Sequence, residues 1–241
     1  ISPVWVPSPE VEGIRDLAGA YDGATARLAT AKQRLLAFLA RRGFVYGGTT
    51  PAGNPRKYWT YDFLRWLDKA RPEDDGGVRA LAALRNEVEA AAEARADPLS
   101  EYRAAVDASP IAAEVAALQS IKGCAFALAA AFSAEVGDFT RFDSPDKLLA
   151  YAGMSPSTYQ SGQLKNCYPH MEKRGSRYLR HALYNATKCV CHWNPNFAAY
   201  LAKKRAEGKH YNVALSHATK KLVRLIFAME KSKQPYSQLA A

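Results

Sequence analysis

The chain has 241 residues, 48% of them hydrophobic, enough to fill one large or two small cores and to exclude disorder as a reading of the whole. Its net charge of +10 is one-sided: residues 1–110 carry 15 Lys and Arg against 15 Asp and Glu, residues 111–241 carry 18 against 8. There is no apolar run of membrane-span or signal-segment length, and four irregularly spaced cysteines form no disulfide framework, so a soluble, cytoplasmic chain with no membrane partner is expected.

After Pro7-Ser8-Pro9, the positions Ile14, Leu17, Tyr21, Ala24, Leu28, Ala31, Leu35 and Phe38 keep a 3-4-3-4 rhythm that predicts a coiled-coil helix ended by Gly43. Gly47 to Pro55 is loop by composition. A short aromatic helix follows from Tyr58 to Lys69, with Trp59, Phe63 and Trp66 on one face. A second long helix from Val78 to about Ala96 presents Leu81, Leu84, Val88 and Ala91 and can fold back on the first, as a plain bundle or as a dimerisation arm.

Pro98 and Ser109-Pro110 mark a transition, which places a connecting region at 1–110 and a basic domain at 111–241. From Ile111 to Phe142 two Ala-rich helical runs flank Ser120 to Ala125, a turn readable as a helix-hairpin-helix phosphate contact or as a buried turn between core helices. Ser144-Pro145-Asp146 starts the next helix, Ser as cap and Pro at the first position. Met154 to Arg174 is polar without an apolar period, and a loop of that length is expected to be functional or disordered. The predicted fold class is therefore all-α, a helical hairpin followed by a helical domain with one long loop.

Within that loop, Ser161 beside Gly162 is sterically open to a phosphate, with Lys165, His170, Lys173 and Arg174 nearby in sequence. The following helix sets Arg177, Arg180, His181, Tyr184 and Lys188 on one face and Leu179, Ala182, Leu183, Ala186 and Val190 on the other. Lys203, Lys204, Arg205 and Lys209 form a further basic turn, and Lys220, Lys221 and Arg224 lie on a last amphipathic helix. Such a surface attracts polyanions, nucleic acid above all, although a solvated basic face has the same composition. Cys167, His170, Cys189, Cys191 and His192 lack paired zinc spacing, so no metal site is expected in this chain.

From Ser120 to about Met229, the order Gly123, Glu135-Val136-Gly137-Asp138, Phe142, Ser144-Pro145, Leu148 through Pro156, Gln160-Ser161-Gly162, Lys173-Arg174-Gly175-Ser176, Leu179-Arg180, Asn194-Pro195, Phe197 and Gly208-Lys209 resembles the C-terminal domain of the insertion-sequence one-ten transposases. That family includes Piv-type DNA invertases and bridge-RNA-guided recombinases. Residues 1–110 are more loosely similar to its connecting region.

The resemblance implies DNA and a guide RNA as partners, and a dimer or tetramer as the working assembly. It implies Ser161 as the nucleophile that forms a phosphoserine link to DNA. On the basic surface, Lys165, Lys173, Arg174, Arg177, Arg180, Lys188, Lys203, Lys204, Arg205 and Lys209 are the candidates for nucleic-acid contact. It also implies Mg²⁺ for the complete enzyme, held by an acidic RNase-H-like domain. No carboxylate set before Val4 supplies that domain, so this chain is expected not to cleave DNA by itself. The competing expectations are a nucleic-acid-binding module without catalysis, and a structural adaptor, which leaves the basic half unexplained.

Overall fold

A computed structural model describes residues 5–156 and 170–236, and these are helical, with two isolated β-bridges and no sheet among the described residues. The helices are α1 (Pro9–Arg41), α2 (Tyr61–Leu67), α3 (Asp75–Glu93), α4 (Ala96–Asp107), α5 (Ala112–Gln119), α6 (Phe126–Val136), α7 (Pro145–Tyr151), α8 (Arg177–Trp193), α9 (Pro195–Ala206) and α10 (Tyr211–Ser232). The chain divides into two units, Ile1–Ala18 with Tyr102–Ala241, and Gly19–Glu101. None of the described helices is long and apolar enough to cross a membrane.

In the Gly19–Glu101 unit, α1 and α3 run antiparallel: Arg34 Nη1 donates to Glu87 Oε1 at 2.5 Å and Arg95 Nη2 to Tyr21 Oη at 3.0 Å. Of the apolar seam, Ala24, Leu28, Ala31, Leu35 and Phe38 are buried while Tyr21 is half-buried. The end of α1 is set by Gly43 at φ +76°, where Phe44 N–H bonds Leu39 O (2.9 Å) and Gly43 N–H bonds Ala40 O (3.0 Å). Beyond it Phe63, fully buried, packs edge-on against Tyr46, Tyr58 and Trp59 and stacks on Trp66. The aromatic helix starts at Tyr61, not Tyr58, because Thr60 caps it and Trp59 holds a left-handed φ of 63°.

Pro98 follows the break between α3 and α4, close to the division between the two units. It sits in the first turn of α4, where backbone N–H groups have no intrahelical acceptor and a missing donor costs nothing.

In the other unit α8 lies at the centre, packed against α6, α9 and α10. Leu179, Ala182, Leu183, Ala186 and Val190 are all buried, the apolar stripe read from spacing. Burying Leu179, Leu183 and Val190 contributes roughly 1.5–3 kcal/mol each as an upper estimate. The turn between α5 and α6 is buried against α8: Ile121 is inaccessible, and a Cβ on Gly123 (φ +103°) would stand 2.6 Å from the Cys189 carbonyl oxygen. Close helix approach accounts for that glycine, and the phosphate-binding reading of the turn is not needed. Trp5 seats on Gly137, with the Arg141 guanidinium 4.1 Å from its ring centroid and Arg15 at 5.5 Å. Arg15 also bonds the Ala134 and Glu135 carbonyls (2.9 and 3.1 Å).

Candidate nucleic-acid interface

The segments that leave α7 and enter α8, on either side of residues 157–169, are fastened to each other as a base. Ser144 Oγ accepts from Lys147 N–H to start α7, and Gly153 at φ +67° ends it. The outgoing and returning segments then pair: Pro156 bridges Met171, Glu172 N–H bonds Ser155 O (3.0 Å), and Lys173 N–H bonds Gly153 O (2.9 Å). Ser176 N–H completes the crossing on Tyr151 O at 3.3 Å. A Cβ on Gly175 (φ +126°) would collide with the Tyr151 carbonyl oxygen, and one on Gly153 with the Arg174 carbonyl oxygen. Backbone therefore touches backbone, which only glycine permits at these two positions.

Two side chains lock the base. Arg180 Nη1 donates to Ala152 O at 2.9 Å and to Lys173 O at 3.3 Å, joining both segments to α8. Ser176 caps α8, accepting from Leu179 N–H (3.1 Å), and donates to Glu135 Oε2 (2.5 Å). Glu135 in turn faces Arg15 at 3.9 Å. Part of Arg180 is thus spent on carbonyl groups, and it acts on the loop by holding its ends together.

The remaining cations of the base face solvent. Arg174 is 89% exposed with Glu172 at 3.7 Å, Lys173 is exposed at φ 58°, and Arg177 lies over the exposed Tyr178 ring, its Nη2 donating to Tyr178 Oη at 2.8 Å. Ser161 and Lys165 lie outside the described residues.

The other candidates form a second group around the α9–α10 turn. Lys204 is 19% exposed and bonds both Glu207 oxygens (2.9 and 3.0 Å), while Lys209 is 3.6 Å from the same carboxylate. Lys203 and Arg205 remain exposed, Arg205 lying 5.9 Å from the Tyr211 centroid. Burial lowers the affinity of His217 for a proton, and Lys209, Lys204 and Lys220 lower it further, which marks this turn as strongly positive. Lys188 joins this group through Tyr184, whose ring it covers and whose hydroxyl donates to Asn212 Oδ1 at 2.8 Å.

Charge alone did not single out Tyr178 or Trp193, both exposed on α8 and able to stack on a base. Periodicity gave no signal for Trp193, which continues the apolar stripe of α8 at its last turn and is exposed there. Among the described residues no three His, Cys, Asp or Glu side chains converge to hold a metal.

Residues 115–202 match the transposase family IS116/IS110/IS902. The matched stretch runs from α5 into α9 with the loop base inside it. A protein of Sinorhizobium fredii named as the transposase y4qE is 28% identical over 205 residues, which are 85% of this chain and 46% of that one. Proteins of insertion elements IS110 of Streptomyces coelicolor and IS116 of Streptomyces clavuligerus are 28% and 31% identical over 130 and 121 residues. Those alignments cover 54% and 50% of this chain, and 31% and 30% of the relatives. The chain thus spans less than half the length of these relatives.

Proposed function

We propose that the chain is the serine-bearing part of a DNA transposase, in which Ser161 becomes transiently esterified to a DNA strand with a guide RNA choosing the site. The observation that carries this reading is the fastened loop base inside the family-matched stretch, with Lys173, Arg174 and Arg177 exposed on it and Ser161 in the sequence between its two sides. In the step proposed, Ser161 gives up its hydroxyl proton and attacks phosphorus. The Oγ–P bond forms as the bond to the leaving sugar oxygen breaks, and that oxygen takes a proton. Attack by a hydroxyl of the second strand reverses the exchange, restoring a phosphodiester and the serine, so no ATP is consumed.

Lys165, Lys173, Arg174 and Arg177 offset charge growing on the phosphoryl oxygens, the planar arginines as bidentate donors. Arg180 keeps the loop ends in register. No step here is routed through a metal; the acidic domain implied by the family resemblance would supply Mg²⁺.

The test is mass spectrometry of the chain after incubation with DNA, Mg²⁺ and that domain from a full-length relative. A nucleotide adduct on Ser161, absent from Ser161→Ala, is expected. Salt-dependent binding without any adduct would make the chain a binding module instead.

A further inference from the structure

Averaged over residues 1–110 the charge is zero, but it is not evenly spread. Residues 41–71 hold seven Lys and Arg against two Asp, a net charge of +5 within 31 residues. These residues are the end of the α1–α3 hairpin, where Asp68 accepts from Arg85 Nη2 at 2.6 Å and Arg42 pairs with Asp74. Arg56, Lys57, Arg65 and Lys69 are exposed and make no ion pair among the described residues.

The same end displays aromatic rings. Tyr61 is 74% exposed with the Arg65 guanidinium 5.7 Å from its centroid, and Tyr58 is 47% exposed, its hydroxyl fixed on Tyr46 O at 3.1 Å. The platform is held in place. Thr49 bridges Pro55, Thr50 N–H bonds Asn54 O (2.8 Å) and Arg56 N–H bonds Gly48 O (3.1 Å), so Arg56 and Lys57 leave a closed turn beside the buried Phe63 cluster.

We propose that this hairpin end is a separate binding surface for an unpaired nucleic-acid strand, its bases stacking on Tyr58 and Tyr61 and its phosphates held by Arg56, Lys57, Arg65 and Lys69. Exposed rings alternating with cations outside ion pairs suit a single strand, because every base has a face to stack and each phosphate one charge to neutralise. A duplex hides its base faces and uses only the charge. The inference does not rest on the chemistry of Ser161, and Ser161→Ala leaves it unchanged.

The experiment measures fluorescence anisotropy of the full chain with labelled oligouridylate, oligothymidylate and a mixed-sequence duplex across a salt series. R56Q/K57Q/R65Q is expected to lower the salt slope for the unpaired probes by about 2, at roughly 0.7 per phosphate contact. Tyr61→Ala is expected to weaken those probes at least about fivefold and to spare the duplex. Lys203→Gln with Arg205→Gln, at the α9–α10 turn, should leave these effects in place. A preference for uridylate assigns the strand as RNA, and equal binding extends the surface to single-stranded DNA. Unchanged affinity and slope in the hairpin variants, with circular dichroism showing intact helix, overturns the proposal, as does an equal loss on the duplex. It is also overturned if Tyr61→Ala alters the mass in light scattering and not strand binding, which would make this face a contact between copies.

Discussion

Replacing Glu114 by glutamine should change how stability depends on pH. Glu114 lies on α5 with its Oε1 buried and without a hydrogen-bond partner. Burial pushes its carboxyl up to about 7 from 4.5; nearby Ser133 and Lys233 pull it down, and Glu230 adds to the rise. The sign follows from linkage. Below about pH 4.5 the group is protonated in folded and unfolded chains alike and costs nothing. As pH rises the unfolded chain ionises first, so the folded state is penalised increasingly, and the penalty is complete above about pH 7. A shift from 4.5 to about 7 corresponds to about 3 kcal/mol. Denaturant midpoints taken from pH 4.5 to 7.5 should therefore diverge, Glu114→Gln gaining relative to the native chain by most of that amount at the upper end. Parallel profiles for the two proteins would refute the assignment of a buried, neutral Glu114.

Gly175→Ala should destabilise by about 3 kcal/mol or more, since a φ of +126° is strained for any side chain and the added methyl meets the Tyr151 carbonyl. Urea unfolding checks it, with faster hydrogen exchange at the Lys173 and Ser176 amides. Phe63→Ala, which empties the centre of the hairpin's aromatic cluster, should cost about 3–5 kcal/mol by the same measurement.

Helix α8 was legible because one stripe of apolar residues at helical spacing decides its buried face, and Ser176 announces its start. The hairpin was legible for the same reason. What escaped was local competition. Trp59 looks helical until Thr60 takes the cap. Of the candidate cations, sequence gives the charge and not the company it keeps. Arg180 and Lys204 look as free as Arg174 and Lys203, yet the first is bound to carbonyls and the second to Glu207. The hairpin-end patch was invisible for an arithmetical reason, since acidic helix surfaces elsewhere in residues 1–110 cancel it.

The seat of Trp5 on Gly137 has a consequence for sequence change in this unit. The indole occupies the space where any other residue at 137 would place its first carbon, and Arg141 covers the same ring. Positions 5 and 137 are therefore coupled in one direction: a smaller residue at 5 would free the space and still leave a side chain at 137 strained by its φ of +67°. Their partnership spans more than half the chain's length, a dependence that no inspection of either neighbourhood alone would reveal.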